Sequence, residues 1–292
     1  MHPDGWHLTE DIGDFLAHAG DFLRSRPALH TMALTVTENL RRLGPARAGT
    51  PAPVFGYLEQ CGEVQATFYR LPPRGLSVTI LTPEQAEILV ARLTSFGHSL
   101  PSVSAEHHTA AAFAEAWRRQ TGVKLTLRAQ LRLHRLGVLA PPEPAPVGRG
   151  RLAGERDHEH ILGWCREFAA DVGEAVTINA DSWSGSRFAE KRYTFWLAPD
   201  GTPVSMAGVT PMVAGQVRVD PVYTPADLRG HGYAAAVTVE VSRAALAAGA
   251  TDVVLFTNAA NPTSNALYRR IGYVPIADWA TYDFTPTEPN AS

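Results

Sequence analysis

The 292-residue chain has only two cysteines, Cys61 and Cys165, far apart and outside any C-x-x-C context. They can build neither a disulfide framework nor a zinc knuckle, and they read as buried free thiols of a reducing compartment. An excess of charge of one sign is also missing. Lys and Arg total 26 against 29 Asp and Glu, a formal charge of −3 with no block of like charge. That leaves no electrostatic footprint for nucleic acid or for an anionic membrane surface. No run approaches the ~18 apolar residues of a membrane span. The start, MHPDGWHLTEDIGDF, has neither the basic nor the apolar region of a targeting signal. What is present is globular: 45% hydrophobic and 19% charged residues, in a length about twice that of a typical domain. The expectation is a soluble, cytoplasmic protein of two domains.

The clearest internal boundary is residues 139–147, LAPPEPAPV. Pro141, Pro142, Pro144 and Pro146 exclude a helix or a central strand and favour an extended spacer. The chain is accordingly divided into residues 1–138, a linker at 139–147, and residues 148–292. A weaker Gly-, Pro- and Ala-rich break at 43–53 reads as a surface loop. In the first half, helical spacing covers 11–24 and 106–120, residues 34–43 read as another helix or a helix–strand junction, and strand patterns cover 54–58, 64–70, 76–81 and 124–133. Thr82 and Pro83 make an N-cap and first helical position for a helix that runs to Gly97. In the second half, strands are expected at 149–153, 193–198, 203–209, 216–223 and 252–257, with a hairpin turn at Pro199-Asp200-Gly201. Helices are expected at 157–172, 175–190 (interrupted near Ser184-Gly185), 232–248 and 262–271, and two closing strands within 273–284. Strands that first meander and then alternate with helices give a mixed α/β or α+β sheet.

One segment carries chemistry. Residues 222–234 read VYTPADLRGHGYA: a strand ends, Pro225 stops pairing, and Arg229-Gly230-His231-Gly232 leads into a helix. The first amides of a helix lack internal partners and the macrodipole adds partial positive charge, so this end can cradle an anion. Gly230 and Gly232 let backbone approach a phosphate. An isolated R-G-x-G is equally a Gly-rich helix entry. A dinucleotide fold lacks its G-x-G-x-x-G here, and a P-loop lacks its Gly-Lys-Ser/Thr.

A second segment, LFTNAANPTSNALYRRIGY at 255–273, brings Asn258 to a strand end, starts a short helix at Asn261-Pro262 and carries Tyr268 on it. Together the two segments resemble the GNAT superfamily of N-acetyltransferases. Arg229 to Ala234 resembles its Q/R-x-x-G-x-G/A pyrophosphate signature. Asn261, Ser264, Tyr268, Gly272 and Tyr273 resemble its N-x-x-[AS]-x-x-x-Y-x-x-x-G-[FY] pattern. The resemblance covers roughly 147–285 and is most specific over 217–273.

The resemblance implies a mixed, mostly antiparallel sheet flanked by helices, acetyl-CoA as co-substrate and no metal. Val222, Tyr223 and Thr224 match the splayed fourth strand whose backbone pairs with pantetheine. Arg229, Gly230, His231, Gly232, Tyr233 and Ala234 match the pyrophosphate loop, with His231 a rim residue. Asn261 and Ser264 match contacts to the pantetheine arm, and Tyr268 the acid that protonates the departing thiolate. The chemistry suits these types. A neutral amine attacks the thioester, a backbone N–H stabilises the oxyanion, and a phenol with a pKa near ~10 still holds a proton to donate at pH 7.

The family's strand-four glutamate is replaced here by Gln216, which cannot accept a proton. Asp220 is the acid on that strand and the candidate base, with a strand-edge carboxylate as its alternative. Glu240 reads as a helix-surface charge. His158, His160, His107 and His108 lack companions at metal-ligand spacing and read as solvated. No G-x-S-x-G elbow supports a hydrolase. The acceptor side holds Trp183, Arg187, Glu190, Tyr193, Trp196 and Arg218. The layout of residues 54–133 echoes the second half without its signatures, as in tandem GNAT proteins whose first repeat is degenerate. An unrelated accessory domain is the alternative. The expected activity is acetyl transfer to a small-molecule or peptide amine, with no nucleic-acid or membrane partner and the oligomeric state open. The alternative function is a non-catalytic acyl-CoA-binding or regulatory module.

Overall fold

The computed structural model describes residues 5–44, 51–174, 178–179 and 181–287. Two compact units emerge from its contacts. The first is Met1–Leu133 with Asn258–Ala260 and Ile276–Ser292, and the second is His134–Thr257 with Asn261–Pro275.

The first unit begins with β1 (Gly5–Thr9), α1 (Ile12–Ser25) and α2 (Thr31–Leu43). It continues through β2 (Val54–Gln60), β3 (Glu63–Arg70), β4 (Leu76–Val78), α3 (Pro83–Ser95), β5 (Ser102–Glu106), α4 (His107–Thr121) and most of β6 (Lys124–Leu136). The second holds β7 (Arg149–Leu152), α5 (His158–Asp171), β8 (Arg192–Leu197), β9 (Pro203–Val209), β10 (Gln216–Tyr223) and α6 (Tyr233–Ala247). β11 (Asp252–Asn258), α7 (Pro262–Arg270) and the start of β12 (Tyr273–Thr285) complete it.

The two units repeat one order: a strand meander, a helix crossing to a parallel strand, a second helix and a last strand. In the first, β4 and β5 are the parallel pair, with α3 between them in sequence. In the second, β10 and β11 are, with α6 between them. Their other assigned pairings are antiparallel. Strand order is β1-β2-β3-β4-β5-β12 in the first unit, and β11-β10-β9-β8-β7 in the second, where the end of β6 neighbours β11. The fold is therefore the mixed, mostly antiparallel sheet flanked by helices that the sequence led us to expect, built twice.

Local chemistry explains the elements. Thr82 caps α3 through a capping box, its hydroxyl taking the Gln85 N–H while the Gln85 side chain takes the Thr82 N–H. α6 buries Ala235, Ala236, Val237, Val239, Val241 and Ala245 on several sides, as a helix packed deep on a sheet must. The core of the first unit gathers around Phe68, Leu89, Phe113 and Trp117. The second has one cluster around Val237, Val253 and Tyr273 and another around Trp164, Phe195 and Met206.

Several expectations are corrected. Within the described part of 175–190 there is only a 3-10 turn at Trp183–Gly185; residues 175–177 and 180 lie outside the described residues. Asn179 and Ser182 exchange side-chain and backbone hydrogen bonds at 2.9 Å, a local alternative to helix. Tyr273–Thr285 is one strand rather than two, although its residues divide between the units after Pro275. β1 and β5 carry too few apolar positions to stand out in the sequence. Cys61 is exposed: it occupies, with Gly62, a two-residue hairpin turn at φ 54° and 79°, the left-handed pair of a type I′ turn.

The proline-rich stretch 139–147, read as a linker, falls within the second unit. Hydrogen bonds from Gly137 N–H to Gly272 C=O (2.9 Å) and from Ala140 N–H to Ile271 C=O (3.1 Å) tie its approach to the turn before β12. Part of the loop expected at 43–53 (45–50) lies outside the described residues. No helix among the described residues is long and apolar enough to cross a membrane.

Candidate active site and cofactor cleft

β10 and β11 stay in register only from Gln216↔Asp252 to Arg218↔Val254. On its other edge β10 slips against β9 between Val219 and Val222. Asp220 and Pro221 occupy that bulge, and Val222, Tyr223 and Thr224 follow it. A bulge bends a strand and breaks its pairing; β10 pairs with β11 no further than Arg218, ahead of the Val222–Thr224 segment. Ser205 Oγ donates to the Tyr223 carbonyl and lies 2.9 Å from the Thr224 hydroxyl, fixing the strand end.

Beyond it, Gly230 (φ 87°) and Gly232 (φ 80°) both take left-handed backbone. Gly232 is the N-cap of α6 and supplies no side-chain cap. A Cβ at Gly230 would meet nothing within 4 Å, and one at Gly232 only Pro146 at 3.7 Å. Conformation rather than space therefore demands glycine at both positions. His231 is exposed, its ring stacked 5.6 Å from the half-buried Tyr233, and Ala234 follows on the first turn. Arg229 is tied back: its Nε donates to the Thr224 carbonyl at 3.0 Å and its guanidinium pairs with Asp171 of α5.

The corresponding places in the first unit are closed. At the start of α3 the Thr82 and Gln85 amides are taken by the capping box described above, and Pro83 has no N–H. The Leu81 N–H, just past β4, donates to Thr109 Oγ1 at 3.0 Å. That repeat has kept the architecture and lost the open helix end.

α7 starts at Asn261, whose side chain accepts the Ser264 N–H at 3.0 Å. Asn261 is exposed and Ser264 half-buried. Tyr268 is half-buried, packed against the sheet cluster with its ring 6.0 Å from Tyr273. Its hydroxyl makes no hydrogen bond among the described residues. Burial raises its pKa, and the Tyr273 phenol and the Asp220 charge add to the rise.

Asp220 does not have the environment of a base. Arg187 Nη1 donates to its Oδ2 at 2.5 Å, and the Lys191 ammonium pairs with the same oxygen. Burial alone would raise the Asp220 pKa, but Lys191, Arg187 and Arg218 outweigh it and hold the carboxyl well below the usual range. A carboxylate so stabilised is a poor proton acceptor. Gln216 is fully buried at the β10 start. Arg187 also chelates Glu174 with contacts of 2.6 and 3.1 Å. The Lys191 side chain is 4% exposed, and it is one of only two lysines in the chain.

On the expected acceptor side, Tyr193 is buried and donates to the Phe188 carbonyl at 2.8 Å. Trp183 packs edge-on against the half-buried His158, and the exposed His160 against Trp164 at 4.2 Å. Trp196 is half-buried in the core and Arg218 is buried, while Glu190 is half-buried. Glu240 pairs with Arg243 one turn on, as a helix-surface charge does. Sequence reading missed Glu167, which accepts the Tyr223 hydroxyl at 2.6 Å. Lys191, Glu174 and Asn265 escaped as well; only their folded neighbours distinguish them. Among the described residues no three His, Cys, Asp or Glu group as a metal site.

Comparison with known proteins agrees with this geometry. Residues 160–273 match the acetyltransferase (GNAT) family. No curated protein matches the sequence. The GCN5-related N-acetyltransferase from Sphaerobacter thermophilus superposes with a TM-score of 0.56 at 19% identity, over 97% of this chain and 96% of its own. The one from Kribbella flavida gives 0.52 at 18%, over 88% and 95%. A tandem GNAT protein from the clavulanic acid biosynthesis pathway gives 0.54 at 14%, over 97% and 100%. At such identities the likeness is one of fold. Residues 160–273 of the chain therefore carry the match to the GNAT acetyltransferase family, and the fold shared with these structures runs over both of its halves.

Proposed function

We propose that the protein is a cytoplasmic, acetyl-CoA-dependent N-acetyltransferase acting on a primary amine by direct attack, with catalysis in residues 148–292 and the end of β6. One observation carries the reading: the bulged end of β10 parts from β11 and leads to a helix end with no side-chain cap and two left-handed glycines. Acetyl-CoA supplies a thioester whose carbonyl accepts the amine. The backbone of Val222, Tyr223 and Thr224 would hold the pantetheine arm as an added strand. The amides from Gly230 to Ala234 would hold the pyrophosphate, with Asn261 and Ser264 bordering the arm. A backbone N–H at the end of β10 would stabilise the charge that develops on the carbonyl oxygen. Tyr268 keeps its proton at physiological pH and delivers it to the leaving sulfur.

Asp220 is reassigned in this reading. Its charge holds Arg187 and Lys191 at the bulge, and the amine loses its proton to solvent.

The test is release of free thiol from acetyl-CoA across a panel of amines, with the acetylated product read by mass spectrometry. Thiol release coupled to acetylamine formation supports the proposal; acetyl-CoA binding that needs neither Gly230 nor Gly232 contradicts its site. One observation favours the second reading, a non-catalytic acyl-CoA-binding module: neither Gln216 nor Asp220 can serve as a base. Binding without turnover on any amine would select it.

A further inference from the structure

α7 has nine residues, and Asn265 is the only one of them whose side chain is buried, at 4% exposure. Leu267 and Tyr268 are partly buried against the sheet, and the remaining positions are exposed or half-buried. So short a helix is marginal by itself and lacks the broad apolar stripe that normally sets a helix on a sheet. Its placement depends on what Asn265 binds.

Asn265 is gripped from two strands. Its Oδ1 accepts the Thr257 hydroxyl of β11 at 2.8 Å and lies 3.2 Å from Nε2 of His134 on β6. The same Nε2 lies 3.1 Å from Thr257 Oγ1. An amide oxygen can only accept, so Nε2 must carry the hydrogen. Asn265 Nδ2 donates to the Asn261 carbonyl at 2.7 Å, tying the grip to the residue that caps the helix. His134 is 0% exposed and Thr257 5%; water does not compete for these bonds. All these groups lie in the second unit, although His134 precedes the proline-rich stretch.

Tyr268 lies three residues beyond Asn265, on the same helical face. Its ring centroid is 6.5 Å from that of His134. Its hydroxyl has no hydrogen bond among the described residues, so its position there follows the helix.

We infer that Asn265, gripped by Thr257 and His134, is a positioning residue that aims the Tyr268 phenol at the leaving sulfur. The inference rests on the acetyl-transfer reading for what the phenol does, and on the geometry alone for what holds it. The bond broken is the Tyr268 O–H and the bond formed is the thiol S–H; the asparagine moves no proton.

The test is a variant series in the full chain. Thr257→Val is nearly isosteric and removes the hydroxyl, and Thr257→Ser restores it. His134→Leu removes the Nε2–H, and His134→Gln returns an N–H donor. A displaced reacting group costs rate more than binding, so Thr257→Val and His134→Leu should lower kcat per folded molecule about 10- to 100-fold, with KM for acetyl-CoA changed less than about twofold. Thr257→Ser and His134→Gln should recover most of the loss. Wild-type kcat per folded molecule in Thr257→Val, or no recovery in either rescue variant, overturns the inference.

An independent readout is the fluorine resonance of 3-fluorotyrosine at Tyr268, assigned by its loss in Tyr268→Phe. It should shift or broaden in Thr257→Val and return in Thr257→Ser; an unmoved resonance overturns the positional claim. If the wild type releases no thiol with any amine, the acetyl-transfer reading fails and this resonance alone decides.

Discussion

Arg187 Nη1 lies 2.5 Å from Asp220 Oδ2 at the bulge of β10, and Lys191 pairs with the same oxygen. The bulge carboxylate is therefore an anchor for two cations. Removing its charge by Asp220→Asn leaves the Lys191 ammonium buried without its counter-ion, which should cost about 3–5 kcal/mol of stability. Replacing both, as Asp220→Asn with Lys191→Met, should recover most of that, because two matched apolar or neutral groups need no pairing. Urea unfolding of the single and double variants measures the difference, and a double variant no more stable than Asp220→Asn would contradict the pairing.

The same pair sets an acid limb. The Asp220 pKa in the folded protein is held below its unfolded value. Its contribution to stability is then fully present above the ordinary carboxylate range and is lost as pH falls through the folded value. The melting temperature of the wild type should fall between pH 6 and pH 3 (values set on either side of the ~3.9 carboxylate reference). The fall should be shallower in the Asp220→Asn, Lys191→Met protein. Parallel curves would assign the acid limb to other carboxylates.

Gly230 and Gly232 have φ of 87° and 80° with open space where a Cβ would go. Alanine at either should cost about 1–2 kcal/mol in that backbone region, or else pull the loop out of shape. Each substitution should weaken acetyl-CoA binding measured by calorimetry. The double alanine variant should abolish it at concentrations where the wild type saturates. Unchanged affinity would move the cofactor elsewhere.

How much of this was legible depended on the range of the signal. The Thr82 and Asn261 caps, the hairpin at Gly201 and the Gly230–Gly232 helix entry are local, and each appears where sequence reading put it. Tyr268 was legible because its spacing from Asn261 matches a family pattern. The ion pairs of Asp220 were not legible because its partners lie 29 and 33 positions away, and nothing local announces a carboxylate already paired with Lys191 and Arg187. His134 and Asn265, separated by 131 positions, gave no signal at all. The division at 139–147 was read from prolines that do stop regular structure. Hydrogen bonds at Gly137 and Ala140, invisible in composition, carry that stretch into the second unit.

The first repeat should bind no cofactor. Its helix end is filled by the Thr82–Gln85 capping box and its strand end by Thr109. Calorimetry should give one acetyl-CoA per chain. Thr82→Ala should cost about 1 kcal/mol of stability and leave the affinity as it was. Two sites per chain, or an affinity that follows Thr82, would contradict a degenerate first repeat.

The most direct measurement compares wild type with Tyr268→Phe for thiol release and for acetyl-CoA binding in the same preparation. Loss of a positioned general acid should lower kcat by about 10²- to 10⁴-fold, while the dissociation constant for acetyl-CoA stays close to the wild-type value. A Tyr268→Phe enzyme that turns over at the wild-type rate would contradict the account.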